Sequence, residues 1–362
     1  MNFIDLKIQQ KILKEDLNNR IQKVLSHGKY VMGPEVEELE EKLAEFVNSK
    51  HCITVSSGTD ALLISLMSLG IKPGDEVITS PFSWISTTEV IVMLGATPVF
   101  VDIDPDTCNL DHTKIEKSIT DKTKALMPVS LFGQPSKMDS INKVAKKHKI
   151  PVIEDAAQSF GATYLGKKSC NLSTIGCTSF FPSKPLGCYG DGGAIFTNNS
   201  SLAKVCREIR LNGQENKNKF NRIGIQGRLD TLQAAILLAK MEIFPDEVDL
   251  RRKIAQNYNY SFVDLGINHV KETKGCLGVY AQYTIFSDQR NLLQNFLTKN
   301  MIPSSIYYSH PIYHHKPYKK YKVTCRVTEK VSKQVISLPM HPYLIESDQE
   351  KIVDVIKKFI EG

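Results

Sequence analysis

The 362-residue sequence has no apolar run that approaches the ~20 residues needed to cross a membrane as a helix. Residues 1–7 also lack the charged and then apolar layout of a secretory signal. Both absences predict a cytoplasmic protein that does not insert into a membrane. With 41% hydrophobic and 23% charged residues, the composition is that of a globular chain that buries a substantial core.

Metal-binding motifs are also missing. None of the eight cysteines forms a Cys-x-x-Cys pair, and scattered cysteines in a chain without a signal are typical of reduced, packed thiols. Cys170, Cys177 and Cys188 lie near one another in the sequence, but their spacing matches no usual zinc pattern. We therefore expect no metal site.

The sequence has no stripe of basic residues alternating with aromatic ones, although its formal net charge is +7. The basic residues are scattered through helical stretches, such as residues 143–147. We therefore expect no nucleic-acid partner and interpret the charge as a solvated surface that is compatible with a phosphorylated substrate.

Short apolar segments alternate with helical stretches between about residues 50 and 200. The strands are predicted at residues 51–55, 76–79, 98–103, 125–129 and 152–154. Their alternation with helices predicts a mostly parallel, mixed sheet covered on both faces. Residues 155–193 are rich in Gly, Ser and Pro, which indicates either a loose connection or a site built from loops.

The pattern changes in the C-terminal third of the chain. Helices are predicted at residues 229–243, 247–261 and 288–299, with a break at Pro245 and a strand at 281–286. We predict an α/β fold with a large domain over residues 1–245 and a smaller α+β domain over residues 246–362.

Residues 56–61 form a glycine-containing turn between a predicted strand and a predicted helix. Gly58 permits a tight turn, and the first N–H groups of a helix have no partner within it. With the Thr59 hydroxyl, such groups can bind phosphate. Alternatively, Ser57 or Thr59 only caps the helix. Taken alone, the turn leaves both interpretations open.

Asp155 follows an apolar predicted strand, at the edge where open parallel sheets bind ligands. A carboxylate there could bind a metal, form an ion pair or hold a protonated ring nitrogen. The last role is the one that pyridoxal phosphate requires, because a protonated ring accepts electrons from a substrate carbanion. Gln158 could then approach the phenolic oxygen of that cofactor.

Lys184 lies between Ser183 and Pro185 in an apolar, glycine-rich loop, with Pro182 just before it. Removal from water would favour its amine form, which can attack an aldehyde. Ser179 could add a phosphate contact. A solvent-facing lysine is the common alternative. The order of phosphate turn, acid and loop lysine is that of fold-type-I pyridoxal phosphate enzymes.

These segments give the sequence a close resemblance to the DegT/StrS-type nucleotide-sugar aminotransferases. The resemblance extends from about residue 33 to the C-terminus, and its anchors are residues 57–62, 154–158, 179–193, 227–230 and 233–235. Residues 179–193 and 279–284 also resemble the subgroup that aminates UDP-2-acetamido-2-deoxy-3-oxo-glucuronate in bacterial O-antigen synthesis.

The resemblance implies that Lys184 carries pyridoxal phosphate and moves the substrate proton. It implies that Gly58, Thr59 and Ser179 hold the cofactor phosphate, with Asp60 also among the cofactor-binding residues. It further implies that Asp155 pairs with the ring nitrogen, that Gln158 lies at the ring hydroxyl and that Trp84 stacks on the ring face. A core tryptophan is the alternative for Trp84. It also implies a homodimer with shared active sites.

The resemblance assigns substrate contacts to Arg228, Tyr307 and Tyr308. A planar guanidinium suits the carboxylate of a glucuronate or of L-glutamate, whereas a surface arginine is the alternative for Arg228. The sequence departs from the subgroup at two positions. Gln226 replaces an asparagine expected to reach the partner subunit's cofactor phosphate, and Tyr307 replaces a histidine.

The implied reaction transfers the amino group of L-glutamate to a UDP-linked keto sugar, with C3 as the suggested position. An aminotransferase acting on a 4-keto nucleotide sugar is the alternative. A sugar dehydratase of similar fold usually lacks the lysine at position 184. A non-enzymatic regulator on the same fold is a further alternative, because a fold does not fix a function.

Overall fold

The computed structural model describes residues 1–362. Thirteen α-helices, α1 to α13 in chain order, span Leu6–Ile12, Lys14–His27, Pro34–Val47, Gly58–Ser68, Ser86–Met93, His112–Ile115, Met138–His148, Ser200–Arg210, Thr231–Met241, Phe244–Val263, Arg290–Lys299, Arg326–Gln334 and Glu346–Glu361. Short 3-10 turns span Glu116–Ser118, Leu131–Gly133, Ile312–His314 and Lys316–Tyr321.

Fourteen strands, β1 to β14 in chain order, span His51–Val55, Glu76–Thr79, Thr97–Phe100, Thr123–Met127, Ile153–Asp155, Thr163–Tyr164, Lys167–Lys168, Ile175–Ser179, Gly193–Thr197, Gln214–Asn216, Lys219–Phe220, Cys276–Leu277, Tyr283–Phe286 and Val335–Leu338. The Gly-, Ser- and Pro-rich stretch at 155–193 therefore contains β6, β7 and the buried strand β8, and is not built from loops alone.

The central sheet has two parts, ordered β3-β2-β4 and β5-β8-β9-β1. Parallel bridges from Leu126 to Val152 and from Val129 to Asp155 connect β4 to β5 and join the parts. Only β9 runs antiparallel to its two neighbours, β8 and β1. The prediction of a mostly parallel, mixed sheet is confirmed, and Asp155 lies near its middle.

Two apolar layers cover the central sheet. On one side α4 packs Ala61, Ile64 and Leu66 against strand residues such as Ile153 and Ile195. On the other side α3 and α9 bury residues such as Leu39 and Leu43. Full burial of each such side chain contributes about 1.5–3 kcal/mol. The layers hold the turn before α4 in a fixed position beside the strand ends.

The C-terminal region has its own apolar core. The antiparallel pair β13–β14 packs with α10, α11 and α13 around aromatic residues that include Tyr258, Phe262 and Tyr283. The predicted break at Pro245 is slightly misplaced. Helix α9 ends at Met241, and Pro245 lies in the first turn of α10, where its missing N–H removes no helical hydrogen bond. The domain boundary at 245/246 stays a prediction.

None of the helices combines the length and the apolar character that crossing a membrane requires.

Candidate active site

Asp155 ends β5 and is 4% exposed. Thr87 of α5 donates its hydroxyl to Oδ2 at 2.7 Å, and the Ala157 N–H donates to Oδ1 at 3.2 Å. Burial raises the pKa of the Asp155 carboxyl, whereas these hydrogen bonds and the charge of Lys184 oppose the rise. The carboxylate is therefore fixed in position at the middle of the sheet.

Lys184 lies in a tight turn after β8. Its backbone N–H donates to the Phe181 carbonyl at 2.8 Å, and the Cys188 N–H donates to the Phe180 carbonyl at 2.8 Å. Burial lowers the pKa of the Lys184 amine, and only the charge of Asp155 opposes this shift. The charges of Lys184 and Asp155 thus influence each other, and burial favours the reactive amine form of Lys184.

The turn before α4 meets the end of β8. A Cβ atom on Gly58 would lie 2.7 Å from the Ser179 Cβ, so only glycine permits this approach. Ser57 accepts a hydrogen bond from the Asp60 N–H at 3.0 Å, so it does cap the helix. Thr59 donates its hydroxyl to Ser86 at 2.9 Å. The turn and the strand end form one polar cradle, and capping does not exclude phosphate binding there.

Gln158 faces the loop that carries the predicted substrate tyrosines. Its Oε1 accepts from the Phe132 N–H at 2.8 Å, and its Nε2 donates to the Tyr308 hydroxyl at 3.2 Å. Burial raises the pKa of Tyr308, which keeps the phenol protonated. Tyr307, the preceding residue in the chain, has its ring centroid 6.5 Å from that of Phe3.

Trp84 is 61% exposed, which excludes the alternative of a core tryptophan. Its ring centroid lies 6.4 Å from that of Tyr308, and the two planes are inclined by 42°. An exposed indole beside this site has a free face on which a planar ligand can stack. The structure therefore groups Trp84 with Tyr308 and Gln158, although its stacking role stays a prediction.

Gln226 and Arg228 flank Gly227, whose carbonyl accepts from the Ser56 N–H at 3.0 Å. This contact places the segment beside the cradle. Gln226 is exposed and forms an antiparallel bridge with Leu211, whereas Arg228 is half-buried. The contact of Gln226 with a partner subunit and the carboxylate role of Arg228 stay predictions.

Sequence reasoning missed Thr87 and Lys240. Thr87 lies 68 positions before Asp155, and Lys240 lies 53 positions after Gly187, whose carbonyl it binds. No local pattern connects such distant pairs. The sequence of α5 offers no signal that selects Thr87, because Thr88 beside it is buried as well.

The eight cysteines are all buried and unpaired. No group of three or more His, Cys, Asp or Glu side chains is placed to hold a metal ion. Burial raises the pKa of the Cys177 and Cys188 thiols, which is typical of packed cysteines.

The arrangement fits pyridoxal phosphate. Gly58 lets the start of α4 approach Ser179 closely, so that the N–H groups of the helix start and the Ser179 hydroxyl lie together, as a phosphate site requires. Asp155 is a buried carboxylate that suits a protonated ring nitrogen. Lys184 has the lowered pKa that covalent attachment to an aldehyde needs.

Comparison with known families supports this interpretation. Residues 11–357 match the DegT/DnrJ/EryC1/StrS aminotransferase family. A Pseudomonas aeruginosa protein named UDP-2-acetamido-2-deoxy-3-oxo-D-glucuronate aminotransferase is 53% identical over 344 residues, which cover 95% of this chain and 96% of that protein. A Geobacillus stearothermophilus protein named pleiotropic regulatory protein is 40% identical over 367 residues, which cover 99% and 98% of the two chains.

Among solved structures, NtdA from Bacillus subtilis with bound cofactor PMP aligns with a TM-score of 0.92 and 32% identity, over 99% of this chain and 83% of that chain. PMP is the aminated form of pyridoxal phosphate. The fold-type-I architecture and the pyridoxal phosphate cofactor predicted from the sequence are therefore confirmed. The chain belongs to the DegT/DnrJ/EryC1/StrS aminotransferase family, whose enzymes depend on pyridoxal phosphate.

Proposed function

We propose that this chain transfers the amino group of L-glutamate to the keto carbon of UDP-2-acetamido-2-deoxy-3-oxo-D-glucuronate, giving the 3-amino sugar for bacterial surface polysaccharide such as O-antigen. The observation that carries the proposal is the 53% identity, over 95% of the chain, to the Pseudomonas aeruginosa relative of that name. We further propose that the enzyme works in the cytoplasm as a homodimer with shared active sites.

Lys184 is proposed to carry the cofactor and to move the proton between the substrate carbon and the cofactor. Its lowered pKa supports this role, because an amine accepts a proton and an ammonium does not. Bound pyridoxal phosphate supplies the electron sink for the carbanion that forms when the substrate proton leaves. The protein then has to supply position and proton transfer.

Asp155 is proposed to hold the proton on the cofactor's ring nitrogen. The Thr87 hydroxyl donates to one oxygen of the carboxylate and the Ala157 N–H donates to the other. The orientation of the carboxylate is therefore fixed before any ligand binds. Gln158 is oriented by the Phe132 N–H and is proposed to lie at the ring hydroxyl. These fixed partners reduce the reorganisation that binding requires.

The cradle of Gly58, Thr59 and Ser179 is proposed to bind the cofactor phosphate, with Asp60 in the same helical turn. The Asp60 carboxylate accepts a hydrogen bond from the Ser56 hydroxyl, which fixes the start of this turn. The N-terminus of α4 adds partial positive charge from its N–H groups. The position of the phosphate then sets where the ring lies relative to Lys184.

The sugar pocket is proposed to include Arg228, Tyr307 and Tyr308. Arg228 can bind the glucuronate carboxylate through two parallel hydrogen bonds, which a lysine cannot reproduce. Tyr308 is a protonated phenol beside Gln158 and can donate to a sugar oxygen. Trp84 is proposed to cover the open face of the ring.

The exposed apolar side chains near β11 support the homodimer. Phe220 is 62% exposed and Ile223 is 86% exposed, and both lie just before Gln226. Such side chains on one short segment are typical of a protein interface. We propose that this segment reaches the partner subunit and that Gln226 there contacts the partner's cofactor phosphate.

A panel of UDP-3-keto and UDP-4-keto sugars, each incubated with L-glutamate, tests the proposed function. Mass spectrometry and NMR of the products should show amination at C3 of the 3-keto-glucuronate. A 4-amino product would establish the alternative substrate and leave the aminotransferase activity standing. Ligand binding without turnover of any sugar would instead favour a regulator, the role that the name of the Geobacillus stearothermophilus relative describes.

A further inference from the structure

A second lysine contacts the loop that carries Lys184. Lys240, near the end of α9, is 1% exposed. Its Nζ donates to the Gly187 carbonyl at 2.5 Å and lies 4.3 Å from the centre of the Tyr189 ring. Gly187 follows Lys184 by three positions in the same loop. The proposed reaction makes no use of this buried ammonium.

Burial of Lys240 is costly for a residue with only a packing role. Burial lowers the pKa of Lys240 to about 8. The negative charge of Glu247 opposes this shift, although Glu247 forms no ion pair with Lys240. A methionine would fill nearly the same volume without the desolvation cost. Packing alone therefore does not account for a cation at this position.

The Lys184 loop is tight enough to transmit a shift of the Gly187 carbonyl. A Cβ atom on Gly187 would lie 2.6 Å from the Pro182 carbonyl oxygen and 2.8 Å from that of Phe181. Phe181 in turn accepts the backbone hydrogen bond of Lys184. A displacement at Gly187 therefore moves the backbone that sets the direction of the Lys184 side chain.

The support behind the loop is itself fixed. Glu247 accepts a hydrogen bond from Gln9 at 2.8 Å and one from the Tyr343 hydroxyl at 2.5 Å. A small cavity of about 10 Å³ is lined by residues of this group and, on the loop side, by Lys184 and Gly187. A hydrogen-bonded polar group therefore faces the loop across this cavity.

We propose that Lys240 is a positioning residue for Lys184, and that its ammonium holds the Gly187 carbonyl and so sets the backbone of the lysine loop. The proposal rests on the proposed role of Lys184 in carrying the cofactor. It extends that role to a side chain which does not touch substrate or cofactor.

Lys240→Met tests the proposal, and Lys168→Met is its matched control. Lys168 also donates to a backbone carbonyl, that of Gly161 at 3.4 Å, and lies 4.5 Å from the centre of an aromatic ring, that of Phe46. It is half-buried and lies outside the Lys184 loop. Both variants therefore lose the same kinds of contact at different places.

The first measurement is amide hydrogen exchange of the cofactor-free proteins over residues 184–190. We expect Lys240→Met to exchange about tenfold faster there, equivalent to ~1.4 kcal/mol of local opening free energy, and Lys168→Met to exchange like the wild type. Equal exchange in all three folded proteins overturns the proposal. Because no cofactor is present, this result does not depend on whether Lys184 carries it.

The second measurement is the pH midpoint of the absorbance of the lysine-bound cofactor. A shifted midpoint in Lys240→Met and an unshifted one in Lys168→Met support positioning, because a merely structural defect lowers stability without moving that midpoint. Unshifted midpoints in both overturn the proposal. If Lys240→Met does not fold, Lys240→Gln, which removes the ammonium and has a shorter side chain, replaces it in both measurements. A wild type that binds no cofactor at Lys184 refutes the proposed function separately.

Discussion

The hydroxyl of Thr87 lies 2.7 Å from Oδ2 of Asp155 and donates a hydrogen bond to it. The contact joins helix α5 to the end of β5 across 68 positions of sequence. Because Asp155 is buried, this neutral donor stabilises the carboxylate form that a ring nitrogen needs. The Thr87 hydroxyl also lies 3.1 Å from that of Ser83. Cofactor affinity should therefore depend on Thr87 through its hydrogen bond to Asp155.

Thr87→Val removes the hydroxyl and keeps the shape. Hydrogen bonds to charged groups contribute about 1.5–3 kcal/mol, so we expect pyridoxal phosphate to bind roughly 10- to 100-fold more weakly. Thr88→Val is the control, because the Thr88 hydroxyl is buried without a partner. Titration of both cofactor-free proteins, followed by absorbance, measures the difference. Equal affinities would show that Thr87 does not act through Asp155.

Arg228→Lys keeps the charge but loses the planar fork. We expect the KM for the keto-glucuronate to rise by about 10- to 100-fold, the effect of losing one charge-assisted contact. The half-reaction of the aminated enzyme with the sugar should be measured, since glutamate also has carboxylates. The analogue with a hydroxymethyl group in place of the sugar carboxylate is the control. A similar loss with that neutral analogue would contradict carboxylate recognition.

Because His341 is buried, we expect the free energy of unfolding of the protein to decrease in acid. Burial, followed by the charge of Arg251, lowers the pKa of His341 from its ordinary value of 6.5 to about 4. The unfolded chain therefore binds more protons than the folded one in this window, and stability falls as pH falls from 6.5 towards 4. The expected contribution is about 3 kcal/mol, at 1.36 kcal/mol per unit.

Urea unfolding at pH 7 and at pH 4.5 checks this prediction in the wild type and in His341→Gln. The variant should lose clearly less stability than the wild type between the two pH values. His148→Gln is the control, because His148 is partly exposed and pairs with Glu116 at the surface. The prediction fails if His341→Gln and the wild type lose the same amount.

The strands with buried apolar runs were predictable from the sequence. The predicted bounds of residues 51–55 and 76–79 match β1 and β2, since four consecutive residues of β1 and three of β2 are fully enclosed. Strand β8 was not predicted. It contains Gly176, where a Cβ would lie 2.2 Å from the Cys170 carbonyl oxygen, so close packing requires a residue that a sequence pattern assigns to loops.

The residues of the candidate site that belong to local sequence motifs were predictable. Gly58 begins α4 just after β1, Asp155 ends β5 and Lys184 follows β8, and the sheet brings such positions together. Thr87 and Lys240 were not predictable, because their roles depend on contacts between helices and loops that are far apart in sequence. Those contacts come from packing and not from a local pattern.

The most direct test of this account is the site of cofactor attachment. Purified protein loaded with pyridoxal phosphate should be reduced with borohydride, digested and mapped by mass spectrometry. We predict a single pyridoxyl adduct, on Lys184, and neither the adduct nor the absorbance of the lysine-bound cofactor in Lys184→Ala. An adduct on Lys240, the buried lysine that contacts the Lys184 loop, or a wild type that never binds pyridoxal phosphate, would contradict the account.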